Sequence, residues 1–204
     1  MEGNNVGSGA AGLADILKEI LNWVQAIVFA VVISFLIRGF VFETVVVDGS
    51  SMENTLQSGD RLILYKLGYY VKPPERGDIV VLQVREGMLK YIPFLERIPF
   101  FKKAIPDLTE IDYIKRVIGV PGDTLEFLNG EVYVNGEPLH EPYLKEETFA
   151  GLSKITVEKN MVFVMGDNRK NSRDSRELGL IPYNRIKGKA ILRIWPLKKL
   201  GSIY

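Results

Sequence analysis

The most hydrophobic segment of the chain extends from Ile20 to Ile37 and contains no charged residue. At about 1.5 Å per residue, a helix of this length spans roughly 27 Å, close to the hydrocarbon thickness of a bilayer, about 30 Å. Trp23 lies near one end, and Phe40 and Phe42 follow the other, as is typical of aromatic residues at membrane interfaces. The pattern predicts a transmembrane anchor over residues 18–40.

A cleavable signal sequence and a buried core helix are the alternatives to an anchor. A signal sequence has a basic start and a small-residue cleavage site, whereas Asp15 and Glu19 flank this start and Arg38 follows the end. The pattern therefore favours an uncleaved anchor. Lys18 precedes the anchor and Arg38 follows it, so the positive charges on its two sides nearly balance and do not determine its orientation in the membrane. The Gly- and Asn-rich residues before the anchor, 1–17, are predicted to be disordered.

Beyond the anchor, short runs of β-branched and aliphatic residues alternate with turn residues. Asn129-Gly130 and Asn135-Gly136 are typical of tight hairpin turns. The pattern predicts a mainly β, largely antiparallel domain over residues 41–204. Its strand-like runs are residues 61–67, 78–84, 155–157, 161–165 and 187–195.

Residues 87–108 do not fit this pattern, because they mix aromatic and aliphatic residues with lysines, arginine and three prolines. One interpretation is a packed loop. The other is an interfacial segment whose aromatic rings enter lipid while its lysines stay in water.

Composition excludes several kinds of site. The net charge of +1 gives no basic field of the kind that binds nucleic acid, so no nucleic-acid partner is expected. The chain has no cysteine and one histidine, which removes disulfides, thiolate nucleophiles and multi-histidine zinc sites. No phosphate-binding or dinucleotide-binding motif occurs, and we expect no metal and no cofactor.

A candidate nucleophile lies in the turn VVVDGSSMENTL, residues 45–56, because a serine hydroxyl becomes reactive once a neighbouring base takes its proton. The only histidine, His140, lies in a segment that reads as an exposed loop. A lysine can be the base only if burial lowers its pKa from about 10.4 by roughly three units. Lys115 lies in a strand-like run with Tyr113 on the same face, but composition alone favours an ordinary charged pair with Arg116 on a half-exposed strand.

Residues 166–182, GDNRKNSRDSRELGLIP, form the last candidate region. They could be a long solvated loop. Alternatively, their aspartates and arginines pair and hold an irregular backbone that carries functional groups on a rigid scaffold.

Two long blocks, KRVIGVPGD at residues 115–123 and GDNRKNSRDSR at residues 166–176, resemble those of type I signal peptidases. These are membrane-bound serine proteases that remove signal peptides from exported proteins. The apolar N-terminal segment, GSSMENTL at residues 49–56 and the run from residue 59 to residue 78 follow the same family's order. The resemblance covers most of the chain.

The resemblance implies an all-β catalytic core with a small β insertion at about residues 129–154. It implies that Ser51 is the nucleophile, that neutral Lys115 is the general base, and that Ser172 orients the lysine. The Ser51 backbone N–H would stabilise the oxyanion, while the Gly49 position lacks the hydroxyl that some members carry there. The remaining implied residues shape the loop rather than react: Asp167, Arg169, Asp174 and Arg176.

By the same resemblance, the protein is expected in a bacterial plasma membrane, with a single membrane pass and its catalytic domain on the outer face. Its partners would be the lipid bilayer and the signal peptides of secretory preproteins. Two rival hypotheses are a different Ser/Lys protease, such as a self-cleaving regulator, and a catalytically idle, membrane-tethered β-domain. A self-cleaving repressor would carry a DNA-binding domain and no anchor, which is the reverse of this sequence.

Overall fold

The computed structural model describes residues 7–37, 41–84, 111–144 and 154–204. The chain divides into two units, one ending at Val41 and a β unit over Phe42–Tyr204. The predicted segment 87–108 lies outside the described residues.

The first unit contains one long helix, α1, Gly7–Leu36. Its stretch Ile16–Ser34 has a mean hydropathy of 1.9 and is long and apolar enough to cross a membrane. The apolar side chains of this stretch are exposed in the polypeptide, as suits a helix that meets lipid. α1 begins at Gly7, within the residues 1–17 for which the sequence predicts disorder, and that prediction stays a prediction. Helix propagation costs little once the apolar segment has formed its first turns, and alanine and leucine in this region favour it.

The second unit is mainly antiparallel β-sheet, as predicted. Its larger sheet has seven strands in the order β1-β2-β11-β3-β4-β9-β10, so the last strand in sequence lies between two early ones. The strands of this sheet are β1 Phe42–Val46, β2 Arg61–Tyr65, β3 Ile79–Val84, β4 Ile111–Gly119, β9 Met161–Met165, β10 Ile181–Pro182 and β11 Ile186–Trp195.

A smaller four-stranded sheet has the order β7-β6-β5-β8. Both Asn-Gly pairs form its tight turns, where Asn129 and Asn135 adopt positive φ values of 51° and 56°. The small sheet spans residues 124–156, so it begins earlier than the 129–154 expected for the insertion. Its strands are β5 Thr124–Leu128, β6 Glu131–Val134, β7 Glu137–Pro138 and β8 Ile155–Thr156.

Register shifts bend the large sheet. β11 changes register twice against β2 and once against β3, and β4 changes register once against β9. Irregularities of this kind increase twist and curvature. Short helices complete the described part of this unit: α2 Gly68–Val71, α3 Ser175–Leu178, and the 3-10 turns Arg169–Asn171, Tyr183–Arg185 and Leu197–Lys199.

Candidate active site

Ser51 lies in a tight turn that follows β1. Gly49 enters the turn with a positive φ of 91°, a conformation that glycine adopts without steric cost. The Leu56 N–H donates to the Met52 carbonyl at 2.8 Å. The side chains of Met52 and Leu56 are fully buried in a core cluster with Leu62 and Ile79. The residues directly after Ser51 therefore anchor the turn, and the serine is held at the surface of a packed core.

Lys115 lies in β4 beside Val80 of β3 and is 2% exposed. Its Nζ lies 2.7 Å from Ser51 Oγ and donates to the Ile114 carbonyl at 3.0 Å. The same amine lies 5.1 Å from the centre of the Tyr113 ring. Because Lys115 and Arg116 are both buried, the alternative of an ordinary half-exposed charged pair is wrong.

Burial lowers the pKa of Lys115 from 10.5 to about 8, because the charged amine loses its hydration. The carboxylate of Asp174 opposes this shift, and the guanidinium of Arg176 adds to it. A lysine with a pKa near 8 can be neutral within the physiological range of pH. The geometry and the charge state together provide a serine hydroxyl with an adjacent proton acceptor.

Residues 166–182, the GDNR loop, include several buried and hydrogen-bonded polar side chains, so their interpretation as a solvated loop is wrong. Asp174 is completely buried, and its carboxylate accepts hydrogen bonds from the Gly166 N–H at 3.0 Å and from Ser172 Oγ at 2.7 Å. Arg176 pairs with the same carboxylate through Nε and Nη2, both at 2.9 Å. These charge-assisted bonds lower the pKa of Asp174 despite its burial. The lysine-orienting role of Ser172 stays a prediction, because its hydroxyl donates to Asp174.

Gly166 is the point at which this loop meets the Ser51 turn. A β-carbon at this position would overlap Ser172 Oγ and the Ser51 carbonyl oxygen. The Asn168 N–H donates to the same Ser51 carbonyl at 3.0 Å, and the Asn168 amide group donates to the Ser50 carbonyl at 3.1 Å. The loop and the turn are therefore in direct backbone contact.

Asp167 forms a buried, bidentate ion pair with Arg116. Arg116 Nε and Nη2 donate to the two carboxylate oxygens at 2.9 and 2.7 Å, and Arg116 Nη1 donates to the Gly77 carbonyl at 3.1 Å. The Thr55 hydroxyl also donates to this carboxylate. The pair connects β4 to both the GDNR loop and the Ser51 turn. Its carboxylate raises the pKa of Arg116 despite burial, so the guanidinium stays charged.

Arg169, a buried arginine of the loop, pairs with Glu141, a residue that no sequence motif marks. Its Nη2 and Nη1 donate to Glu141 at 2.6 and 3.2 Å, and its Nε donates to the Gly166 carbonyl at 3.0 Å. Glu141 follows β7, and the nearby Tyr143 lies over the Arg116 guanidinium, 3.9 Å from the ring centre. No local pattern marks these residues. The one available signal is a glutamate and a tyrosine flanking a proline directly after a hairpin.

An elongated cleft of about 260 Å³ opens beside Ser51. The end of β1 lines one side, and residues 112–114 of β4 line the other. Asp48 and Asp112 contribute polar side chains to the lining of the cleft. The apolar lining side chains are Val45, Val47, Met52, Val81 and Ile114.

Two strand edges border this cleft. β1 lies at one edge of the large sheet, and β4 pairs with β9 only from Arg116 onward. Among the described strands, the outer edge of β1 and residues 111–115 of β4 therefore have backbone groups without a strand partner. Such edges bind extended peptides by β-strand addition.

His140 is exposed, in the segment that follows β7. It therefore lacks the burial and the hydrogen-bonded partner that orient a histidine base. Lys115 is the base candidate that the structure brings to Ser51.

A family model described as "Signal peptidase, peptidase S26" matches residues 20–195. Signal peptidase I of Leptolyngbya laminosa is 36% identical over 186 residues, covering 91% of this chain and 85% of that protein. Signal peptidase I of Bacillus amyloliquefaciens is 40% identical over 185 residues, covering 85% of this chain and 84% of that protein.

Signal peptidase I S of Bacillus subtilis is 37% identical over 195 residues, covering 90% of this chain and 93% of its own length. The crystal structure of a signal peptidase I from Enterococcus faecalis aligns with a TM-score of 0.41 and 28% identity, over 58% of this chain and 97% of that one. Since the family model and relatives from several bacteria match most of its length, this chain belongs to the signal peptidase family, peptidase S26.

Proposed function

We propose that this protein is a membrane-bound serine endopeptidase that removes N-terminal signal peptides from exported preproteins, with Ser51 as nucleophile and neutral Lys115 as general base. The observation that carries the proposal is the 2.7 Å separation of Ser51 Oγ and the Nζ of a lysine that is 2% exposed. The names of its relatives, each a signal peptidase I, support the substrate class.

The reaction begins when the Ser51 hydroxyl donates its proton to neutral Lys115 as the oxygen attacks the scissile carbonyl carbon. The resulting ammonium then gives this proton to the departing amine, which leaves as the new N-terminus. Water attacks the acyl-enzyme ester with Lys115 again as base, releasing the carboxylate of the signal peptide and restoring Ser51. Ser172, bonded to Asp174, lies in the loop against the Ser51 turn and orients the lysine.

The oxyanion that forms during attack is stabilised by the Ser51 backbone N–H. Within the described ranges this N–H has no backbone acceptor, so it is available to the substrate. A preorganised donor of this kind contributes several kcal/mol to transition-state stabilisation, on the order of 3 kcal/mol for a single donor. Gly49 supplies no side-chain hydroxyl for this purpose.

We propose that the cleft beside Ser51 selects small residues before the scissile bond. Its lining includes the buried apolar side chains of Met52 and Val81, which would form part of a small pocket beside Ser51. A small residue before the scissile bond fits such a pocket, and a large one overlaps its walls. The free edges of β1 and β4 hold the peptide in an extended conformation.

The membrane anchor serves the same reaction. The enzyme and its precursor both carry an apolar segment, so tethering them to one bilayer raises the effective concentration of each for the other. We place the protein in a bacterial plasma membrane with a single pass, and the β unit on the outer face, where exported precursors emerge. The lipid bilayer and the signal peptides of preproteins are its partners, and nucleic acid is not.

Cleavage of a secretory precursor in detergent micelles tests the proposal. Wild-type protein should cut after a small residue, as N-terminal sequencing of the product shows, whereas Ser51→Ala and Lys115→Met should lose at least about a thousandfold in kcat/KM. His140→Ala is the matched control and should keep wild-type activity. Equal cleavage by all four proteins would show that the Ser51–Lys115 pair is misassigned, whereas no cleavage by the wild type would favour a tethered binding domain. A hundredfold loss in His140→Ala would contradict the lysine base.

A further inference from the structure

The small sheet contributes a buried carboxylate to the GDNR loop. Glu141 comes directly after the β6–β7 hairpin, and its side chain is 6% exposed. It forms a bidentate ion pair with Arg169, whose side chain is 1% exposed. Since both partners are desolvated, loss of the carboxylate would leave a buried guanidinium without this counter-charge.

Tyr143 contacts both Glu141 and a second buried arginine, Arg116. Its hydroxyl donates to Glu141 Oε1 at 2.7 Å, and its ring lies 3.9 Å from the Arg116 guanidinium carbon. Burial and the neighbouring carboxylate of Glu141 raise the pKa of the Tyr143 hydroxyl, so it remains a donor at any physiological pH. The two residues therefore face two different buried arginines.

The two arginines hold adjacent residues of the loop. Arg169 Nε donates to the Gly166 carbonyl at 3.0 Å, and Arg116 forms the bidentate pair with Asp167. The start of the loop is therefore fixed from the small sheet through Glu141 and from β4 through Arg116. The Glu141–Tyr143 hydrogen bond links the two attachments.

The loop is also in direct contact with the turn that carries Ser51. Gly166 has no room for a β-carbon between Ser172 Oγ and the Ser51 carbonyl, and Asn168 donates to the Ser51 carbonyl at 3.0 Å. A shift of the loop would therefore move the turn that carries Ser51. A misplacement of about 1 Å at reacting groups can reduce the rate about a hundredfold.

We infer that Glu141 and Tyr143 are positioning residues for the Ser51–Lys115 pair, and that the small sheet completes the active site by clamping the GDNR loop. This inference rests on the proposed function for its kinetic consequence. Its structural part, that these two residues hold the loop against the Ser51 turn, does not.

The kinetic test measures precursor cleavage by full-length variants in detergent micelles, well below their melting temperatures. Glu141→Ala should lower kcat about a hundredfold with KM within twofold of wild type, because the cleft is unchanged while the dyad is misplaced. Glu141→Gln, which keeps an acceptor for Arg169 and Tyr143, should recover a large part of this loss. Tyr143→Phe, which keeps the ring over Arg116, should lower kcat two- to fivefold.

Exposed residues of the same segment provide the matched controls. His140→Ala and Glu137→Gln should leave kcat, KM and melting temperature unchanged. The conservative variants Glu141→Gln and Tyr143→Phe keep the inference testable if Glu141→Ala does not fold.

Hydrogen–deuterium exchange supplies a readout that is independent of catalysis. In Glu141→Ala, or in Tyr143→Phe if the former is unfolded, amides of residues 166–172 and 50–54 should exchange faster than in His140→Ala. Unchanged exchange in both segments, or kcat within twofold of wild type in every folded variant of Glu141 and Tyr143, would overturn the inference. If exchange increases but wild-type protein cleaves no precursor, the clamp stands and the proposed function fails.

Discussion

The side chain of Lys115 is buried, and its amine is hydrogen-bonded to the hydroxyl of Ser51. Its desolvation lowers the pKa to about 8, so about one molecule in ten has a neutral amine at pH 7. Burial of this amine costs folding free energy, since the unfolded chain keeps the lysine hydrated and charged. Such a cost is expected where a side chain is tuned for proton transfer.

We predict that the reaction rate depends on pH through the protonation of Lys115. The lysine must be neutral to accept a proton, so kcat/KM should rise about tenfold per pH unit below the pKa and level off above about pH 8. A pH–rate profile from pH 5 to pH 10, with a precursor that is stable over this range, measures it. A rate that does not change with pH, or that falls as pH rises through 8, would contradict a lysine base.

Recognition of Ser51 and Lys115 from the sequence depended on motifs rather than on composition. Composition alone favours an ordinary Lys-Arg pair on a half-exposed strand, because strand alternation does not reveal whether both faces of a strand are covered. β4 is covered on both faces, which buries Lys115 and Arg116 alike. That information exists only in the packed sheet.

The GDNR loop, an irregular element, is held in place by hydrogen bonds to its own side chains. Its backbone does not form the regular hydrogen bonds of a sheet. Side-chain carboxylates accept hydrogen bonds from its N–H groups instead. Asp174 accepts the Gly166 N–H and caps α3 by accepting the Arg176 N–H. Side-chain capping of this kind accounts for the ordered backbone between β9 and β10.

The prediction for this element is that Gly166→Ala loses activity. The new methyl group would overlap Ser172 Oγ and the Ser51 carbonyl, so the loop or the turn must move. We expect kcat to fall at least about a hundredfold, with a stability loss of about 1–3 kcal/mol. Precursor cleavage and thermal melting in the same detergent measure the two effects.

Gly122→Ala is the control for this substitution. Gly122 has a positive φ of 89° but open space around a β-carbon, so alanine adds backbone strain without touching the active site. Its melting temperature should fall while kcat stays within twofold of wild type. Equal kcat losses in both variants would show that general destabilisation, rather than the contact at Gly166, is responsible.

Local signals predicted the Asn-Gly hairpins and most strands well, because turn chemistry and alternation act over a few residues. They missed Glu141 and Tyr143. An ion pair between a hairpin exit and a loop 28 positions further along has no local signature. The early start of α1 was missed for a related reason, since glycine-rich composition hid its continuity with the apolar helix.

For the whole molecule, the sequence predicted one apolar helix and a β unit, and the structure separates them at Val41. The family match supports a membrane-anchored protein. The order of strands was not predictable. It depends on which edges remain free after local hairpins form, and β11 enters between β2 and β3 only in the complete sheet.

We predict that α1 anchors the protein in the membrane. After alkaline carbonate washing, full-length protein should stay in the membrane pellet, because removal of a spanning apolar helix into water is very costly. A variant that begins at Phe42 should be released and serves as the control. Full-length protein in the supernatant would show that α1 does not span the bilayer.

The position of β11 has a consequence for biosynthesis. Ser51 follows β1 and Lys115 lies in β4, and the large sheet connects these strands only through β2, β11 and β3. β11, Ile186–Trp195, is the last of the described strands to leave the ribosome. We therefore expect that a nascent chain that already carries Ser51 and Lys115 does not hold the two side chains together until β11 has joined the sheet.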